Sequence, residues 1–148
     1  MTASIRLVVE AFYQASAARD IERAISMIDD NVDWILQGPV DVFTFFGQRR
    51  GKAAVIEGYR EIARQLKVTG YEVEALLVDG DRASALIRLT SIVRATGKTM
   101  SVRTSQFSRW RNGKIVDMRA VCDSYDLVEQ TLGRPLSPVA SADELIFA

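Results

Sequence analysis

Apolar positions near the amino terminus recur every three or four residues, which is the spacing of a helix that buries one face. This first stripe consists of Leu7, Val8, Ala11, Phe12 and Ala15. Asp20 stands where a helix N-cap is expected, because its carboxylate can accept a backbone N–H of the first turn. A second helix is predicted after it, with a buried face made of Ile21, Ala24, Ile25 and Ile28. The run Asp29-Asp30-Asn31 predicts the turn that ends this helix.

The next segment mixes strand, turn and helix signals. Val32–Ile35 alternates and predicts a short strand, which Gln37-Gly38-Pro39 interrupts. Residues 40–46 are apolar and aromatic, and the polar, glycine-bounded residues 47–51 predict a turn. Helical spacing then returns and predicts a third helix, whose apolar face holds Ala54, Val55, Tyr59, Ile62, Ala63 and Leu66.

After Lys67 the period of the apolar pattern changes from about 3.6 residues to two, which predicts strands. Four strands are predicted at residues 68–78, 82–94, 98–110 and 114–123. The turns between them contain Asp79-Gly80, Ala95-Thr96-Gly97 and Asn112-Gly113, and Asp-Gly and Asn-Gly are strong hairpin signals. A last short helix is predicted at Ser124–Leu132, ending at Gly133.

This order of elements predicts an α+β fold. Three amino-terminal helices would pack on one face of a curved antiparallel sheet, followed by a short carboxy-terminal helix. The 148 residues fit a single domain with a core at residues 5–133. Residues 134–148 form a tail, either a loose terminus or an arm that docks on a partner subunit.

The charge balance excludes several classes of partner. Lys+Arg and Asp+Glu both number 19, so no basic excess favours nucleic acid or a membrane surface. No stretch of about 18 apolar residues is present, and the first residues lack the apolar run of a signal peptide. The single cysteine, Cys122, cannot form an intrachain disulfide and predicts a reducing, cytoplasmic location.

The absence of histidine limits the chemistry further. It removes the commonest general base and the commonest metal ligand. No carboxylate cluster at ligand spacing is evident, so no metal site is expected. Gly47 and Gly51 do not fit the pattern of a phosphate-binding loop, and no cofactor is expected.

Several motifs, in order and spacing, resemble the nuclear transport factor 2-like superfamily, in particular its ketosteroid isomerase-like and SnoaL-like polyketide cyclase branch. They are Asp20-Ile21-Glu22, Asp29 to Trp34, FGQRRGKAAV at residues 46–55, and the ending RNGKIVDMRAVCDSYDL. The resemblance covers residues 5–133 and implies a cone-shaped cavity between helices and sheet. The superfamily includes isomerases, cyclases, hydrolases and non-catalytic modules, so fold alone does not assign an activity.

Strand alternation predicts which residues line this cavity. On the fourth strand the inward set is Val116, Met118, Ala120 and Cys122. The aligned sets on the second and third strands are Ala85, Ile87, Leu89 and Ser91, and Ser101, Arg103, Ser105 and Phe107. Phe12, Trp34, Gln37 and Tyr59 would close the cavity from the helical side. The predicted lining is an apolar slot with a few polar points, which is typical of a small-molecule site.

The acid–base groups that the resemblance implies do not transfer. The ketosteroid isomerase branch uses a carboxylate base and a neutral acid in an apolar site. Ile35 stands at the position of the base, Ser105 at that of the acid and Phe12 at that of the tyrosine. The carboxylate positions of the related limonene epoxide hydrolases fall near Ser91 and Ala120.

Four residues remain as catalytic candidates. Arg103, if it points inward, needs an anionic partner, and the alternative is a surface ion pair. Tyr13 and Tyr59 could donate a hydrogen bond to a carbonyl, although such tyrosines are more often core residues. Asp123 could act as an acid–base group if the strand carries a bulge. Cys122 lacks a histidine partner, which favours inert packing.

The leading hypothesis is a domain that binds a small hydrophobic carbonyl compound and acts as a cofactor-independent isomerase, cyclase or lyase. A non-catalytic binding or assembly module and an epoxide hydrolase-like enzyme, which would recruit Asp33, Asp41 or Asp123, are the alternatives. A homodimer through the outer face of the sheet is also expected. That face would carry Leu86, Ile92, Trp110, Ile115 and Val121 among Arg88, Arg109 and Arg119.

Overall fold

The structure is a computed structural model, and it describes residues 4–136. Within this range the helices are α1 Ile5–Ala17, α2 Ile21–Ser26, α3 Lys52–Gln65 and α4 Ser124–Leu132. The strands are β1 Ile28–Leu36, β2 Gly47–Arg50, β3 Leu66–Asp79, β4 Arg82–Val93, β5 Thr99–Arg111 and β6 Lys114–Cys122. The predicted tail continues beyond the described residues, at 137–148.

All six of these strands join one sheet, in the order β2-β1-β6-β5-β4-β3. The predicted four-strand meander from β3 to β6 is confirmed, since each of these strands pairs antiparallel with the next. The expectation of an antiparallel sheet needs one correction, because β1 lies parallel to β6. The direction of a pairing between strands so far apart in the chain leaves no signal in their own periodicity.

Two segments predicted as turns are strands in the structure. Asp29-Asp30-Asn31 lies within β1, where the pairing register with β6 shifts. The expected turn chemistry is present there as a local bond, in which the Asn31 N–H donates to the Asp29 carboxylate at 2.9 Å. Gly47–Arg50 pairs with β1 as the edge strand β2. Pairing supplied by tertiary structure therefore overrides the local turn preference.

The local signals at the hairpins and at the last helix are confirmed. Asn112 and Gly113 both have positive φ, at 52° and 72°, as a tight two-residue hairpin turn requires. The helix α4 spans the predicted residues, and Gly133 ends it in the left-handed conformation at φ 72°. The Asp123 carboxylate caps its first turn by accepting the Asp126 N–H at 3.0 Å.

The core consists of two apolar clusters on the helical side of the sheet. The larger cluster joins α1 to the sheet and includes Val9, Phe12, Tyr13, Ile87, Trp110, Ile115 and Met118. The smaller one contains Phe43, Phe45, Leu66, Val93, Met100 and Leu127. The space left between the two clusters is the cavity described below.

Trp110 and Ile115 were expected on the outer face of the sheet, and this expectation is wrong. Both side chains are buried in the larger cluster. The cause is a β-bulge between β5 and β6, where Trp110 pairs with Ile115 but Arg109 already pairs with Asp117. Val116 is the extra residue of the bulge, so both it and Ile115 are buried.

Candidate functional site

A cavity of about 170 Å³ lies between the helices and the inner face of the sheet. Its walls are largely apolar, and Trp34 of β1 and Phe45 of the β1–β2 loop belong to them. Strands β3 to β6 supply the opposite wall, for example through Leu89 and Ala120. Apolar walls of this kind exclude water and strengthen each polar interaction made inside.

Two tyrosine hydroxyls enter this apolar lining. Tyr59 projects from α3 beside Trp34, with ring centroids 6.3 Å apart, and Tyr71 projects from β3. Burial raises the pKa of Tyr59 to about 12 and also raises the pKa of Tyr71, while the Arg19 guanidinium opposes both shifts. Both phenols therefore stay protonated at neutral pH and serve as hydrogen-bond donors.

Tyr13 lies behind the lining rather than in it. Its hydroxyl donates to the Gln106 Oε1 at 3.0 Å, and Gln106 itself lines the cavity. Burial is the main cause of the raised pKa of Tyr13. The bond occupies the carbonyl oxygen of Gln106 and leaves the Nε2 amide as the donor that this side chain offers to a ligand.

Within residues 4–136, the charged side chains of the lining are two arginines and no carboxylates. Arg19 follows α1 in a left-handed conformation with φ 58°, and its side chain is exposed at the rim. Arg49 belongs to β2, opposite Trp34 of β1, and is half-buried. Its Nη1 and Nη2 donate to the main-chain carbonyls of Ala54 and Thr44, each at 3.1 Å.

Eight of the residues expected at the cavity do line it. They are Phe12, Trp34, Gln37, Tyr59, Leu89, Ser91, Ala120 and Cys122. Burial raises the pKa of the Cys122 thiol, so this residue is neutral at physiological pH and a poor nucleophile.

Arg103, Ser105 and Phe107 were expected to face the cavity, and the structure corrects all three. Arg103 lies on the opposite face of the sheet, where its Nε bonds the Glu74 carboxylate at 2.7 Å. Phe107 is 52% exposed on that same face. The bulge at Trp110 is the reason, because a shift of one residue exchanges the two faces of a strand. Gln106 pairs with Ala120 and lines the cavity instead of Ser105.

Two further expected residues lie near the cavity without entering its lining. Met118 is fully buried in the larger core cluster, on the predicted face of β6. Asp123 is the N-cap of α4. Its carboxylate is engaged by the backbone and not directed to a ligand.

The sequence interpretation missed Arg49, Tyr71 and Gln106 as lining residues. Arg49 belongs to residues 47–51, which were predicted as a polar turn. In the structure the alternation of β2 turns Arg49 inward and leaves its neighbour Arg50 exposed. Tyr71 follows an irregularity between Val68 and Gly70 of β3, which returns both Val68 and Tyr71 to the inner face. A glycine inside a strand pattern is a known sign of such a bulge, so Gly70 was the available signal.

Among residues 4–136 no group of three or more Cys, Asp or Glu side chains is arranged to hold a metal ion. None of the helices in the described part of the chain is long and apolar enough to cross a membrane.

The comparison with protein families identifies one match. The model of the SnoaL-like domain matches residues 9–118, which is more than half of the chain. A crystal structure of a putative isomerase from Rhodopseudomonas palustris is similar at 38% identity and a TM-score of 0.77, covering 90% of this chain and 100% of that one. No curated protein matches the sequence significantly.

More distant solved structures show the same fold. An NTF2-like protein from Burkholderia pseudomallei has 16% identity and a TM-score of 0.77, covering 87% of this chain and 98% of that one. A putative SnoaL-like polyketide cyclase from Mesorhizobium loti has 21% identity and a TM-score of 0.67, covering 80% and 98%. At these identities the likeness concerns the fold alone, and it confirms the predicted nuclear transport factor 2-like architecture.

Proposed function

Because the chain belongs to the family of SnoaL-like domains, we propose that it binds a small hydrophobic carbonyl compound and catalyses a cofactor-independent isomerase, cyclase or lyase step on it. The observation that carries this proposal is the cavity, in which Tyr59 and Tyr71 belong to a largely apolar lining. The similarity to a putative isomerase supports the same class of reaction.

The lining supplies hydrogen-bond donors to the reaction. Tyr59 and Tyr71 can each donate to a carbonyl oxygen and stabilise the negative charge that develops on it during addition, or during enolisation in which the α-proton passes to water. Gln106, oriented by Tyr13, adds a third donor. Arg103 lies on the outer face, where it bonds Glu74. These groups therefore replace Arg103 as the candidates that polarise a carbonyl.

The epoxide hydrolase alternative is not favoured, because it needs a carboxylate that activates water. Asp33 is bound by Arg119, Asp123 caps α4, and Asp41 is exposed. None of the three belongs to the cavity lining.

The proposal can be tested with 2-acetylnaphthalene, an apolar ketone with exchangeable methyl hydrogens. Calorimetry should detect binding, and Tyr59→Phe and Tyr71→Phe should each weaken it about fivefold, the effect of one lost hydrogen bond. Tyr125→Phe is the matched control, since Tyr125 is exposed on α4. Exchange of the methyl hydrogens in D₂O, followed by proton NMR, measures enolisation.

Unchanged affinity in both tyrosine variants would argue against polarisation of the carbonyl by these phenols. Binding without faster exchange would retain a ligand-binding role and remove the catalytic one. Absence of binding by the unmodified protein would count against the whole proposal.

A second function, assembly through the outer face of the sheet, is supported by a separate observation. Leu77, Phe107 and Val121 are 70%, 52% and 44% exposed there. Part of the surrounding charge is internally paired, as in Arg119 with Asp33 and Asp117, which lowers the repulsion between two copies. We therefore propose a homodimer through this face, with a second copy of the chain as the partner.

Light scattering at micromolar concentration tests this dimer. The unmodified protein should show twice the mass of one chain, and Phe107→Glu should shift it to the monomer, because a carboxylate would be buried in the interface. Leu7→Glu is the matched control, since Leu7 is exposed on α1 away from the sheet. A monomeric unmodified protein would contradict the proposal.

A further inference from the structure

We propose that the ligand of the cavity is an oxyanion on an apolar skeleton, such as a carboxylate or an enolate, and that Arg49 recognises its charge. This inference rests on the proposed function, because it assigns a chemical class to the compound that the cavity binds. It concerns a residue that forms part of the wall and whose charge the described protein does not neutralise.

The hydrogen bonds of Arg49 leave its positive charge uncompensated. Two of its five N–H donors are taken by the carbonyls of Ala54 and Thr44, which carry no formal charge. The Nε is buried and has no hydrogen-bond partner among residues 4–136. In the same range Arg49 forms no ion pair with a carboxylate, unlike Arg103, Arg119 and Arg64. An anion bound in the cavity would compensate this charge and could accept from the Nη N–H groups that the two carbonyls leave free.

The surroundings hold the guanidinium in this place. Arg49 stands opposite Trp34 in the β1–β2 pair, on the face of the sheet that lines the cavity. On its other side it packs against Gly58 of α3, where an added Cβ would lie 2.9 Å from the Arg49 Nε. A glycine inside a helix costs about 1 kcal/mol relative to alanine, and here its lack of a side chain makes room for the guanidinium.

The charge of the whole lining points in the same direction. Within the described residues no carboxylate lines the cavity, while Arg19 adds a second guanidinium at its rim. Such a lining attracts anions and repels cations. Within residues 4–136 no carboxylate of the lining can accept a proton, and a substrate that arrives as an enolate has already lost the proton that a base would remove.

Two compounds of similar shape distinguish recognition of the negative charge from binding of the apolar rings. At neutral pH 2-naphthoate is charged, whereas 2-acetylnaphthalene has the same rings and carbonyl but no charge. Calorimetry should show that the unmodified protein binds 2-naphthoate at least about tenfold more tightly, as charge-assisted hydrogen bonds provide. Arg49→Gln should remove this preference by weakening 2-naphthoate alone, and Arg49→Lys should keep part of it.

Arg50→Gln is the matched control, because Arg50 is the next residue of β2 and is exposed. It should leave both affinities unchanged. Circular dichroism melting establishes that each variant is folded, and the comparison of the two compounds on the unmodified protein needs no variant at all.

Each outcome decides the inference. Equal binding of the two compounds by the unmodified protein overturns the inference that the ligand is an anion and leaves the proposed function intact. Binding of neither compound overturns both. A preference that survives in folded Arg49→Gln but is lost in Arg19→Gln overturns the assignment to Arg49.

Discussion

Arginines on the two faces of the sheet have different partners. On the outer face Arg103 bonds Glu74, and Arg119 bonds both Asp33 and Asp117. On the inner face Arg49 bonds two main-chain carbonyls, and no carboxylate of residues 4–136 approaches it. The outer face therefore neutralises part of its own charge, while the inner face keeps a positive charge beside an apolar cavity. This difference separates a surface suited to a second protein from a site suited to a small anion.

The largest expected effect comes from removing the same volume of side chain on each face. Ile87→Ala on the inner side should lower the free energy of unfolding by about 2–5 kcal/mol, because Ile87 is fully buried. Leu77→Ala on the outer side should change it by less than about 0.5 kcal/mol in the monomer, because Leu77 is 70% exposed. Urea unfolding followed by tryptophan fluorescence measures both.

A large loss in Leu77→Ala at high protein concentration that fades on dilution would support burial of the outer face in the dimer. A small loss in Ile87→Ala would contradict the assignment of the core to the inner face.

A smaller effect is expected from Gly58→Ala, which sharpens the role of Arg49 without removing its charge. The new methyl group would displace the guanidinium, so binding of 2-naphthoate should weaken about three- to tenfold, about 0.7–1.4 kcal/mol. Binding of 2-acetylnaphthalene, measured by the same calorimetry, is the control and should change by less than about twofold. If both affinities fall together, the methyl group blocks the cavity and the position of Arg49 is not the cause.

The smallest effect concerns the ion pairs of the outer face. Hydrogen bonds from Gln48 and Arg119 hold the pKa of the Asp33 carboxyl below its usual value of 3.8. A carboxyl whose pKa is lowered by folding stabilises the protein above its unfolded pKa, and this contribution is lost as the pH falls through the folded pKa. Asp33→Asn should therefore lose within about 1 kcal/mol of stability at pH 7, and this difference from the unmodified protein should shrink as the pH falls below 3.8 and through the lowered pKa of folded Asp33.

Urea unfolding at a series of pH values measures this difference. A difference that persists unchanged at low pH would show that Asp33 contributes through packing and not through its charge.

The errors in the predicted inner face of β5 have one structural origin. In an ideal hairpin at Asn112-Gly113, Ser105 would stand opposite Ala120, and Arg103 and Phe107 would share its face. The bulge at Val116 shifts the pairing by one residue, so that Gln106 stands opposite Ala120. The same bulge explains why Ile115 and Trp110 are buried. Inner faces were predicted correctly on β4 and on β6 from Met118 onward, where apolar and polar residues alternate clearly, and incorrectly on β5, where both faces mix polar and apolar residues.

The sequence alone determined the features of this protein that depend on neighbouring residues. Helical stripes, Asp-Gly and Asn-Gly turns and period-two strands specified the helices and the meander, because each of these elements depends on a few adjacent side chains. Tertiary structure decided which face of β5 is buried, the parallel pairing of β1 with β6 and the inward position of Arg49. These features depend on register between distant strands, where a single extra residue reverses every side chain beyond it.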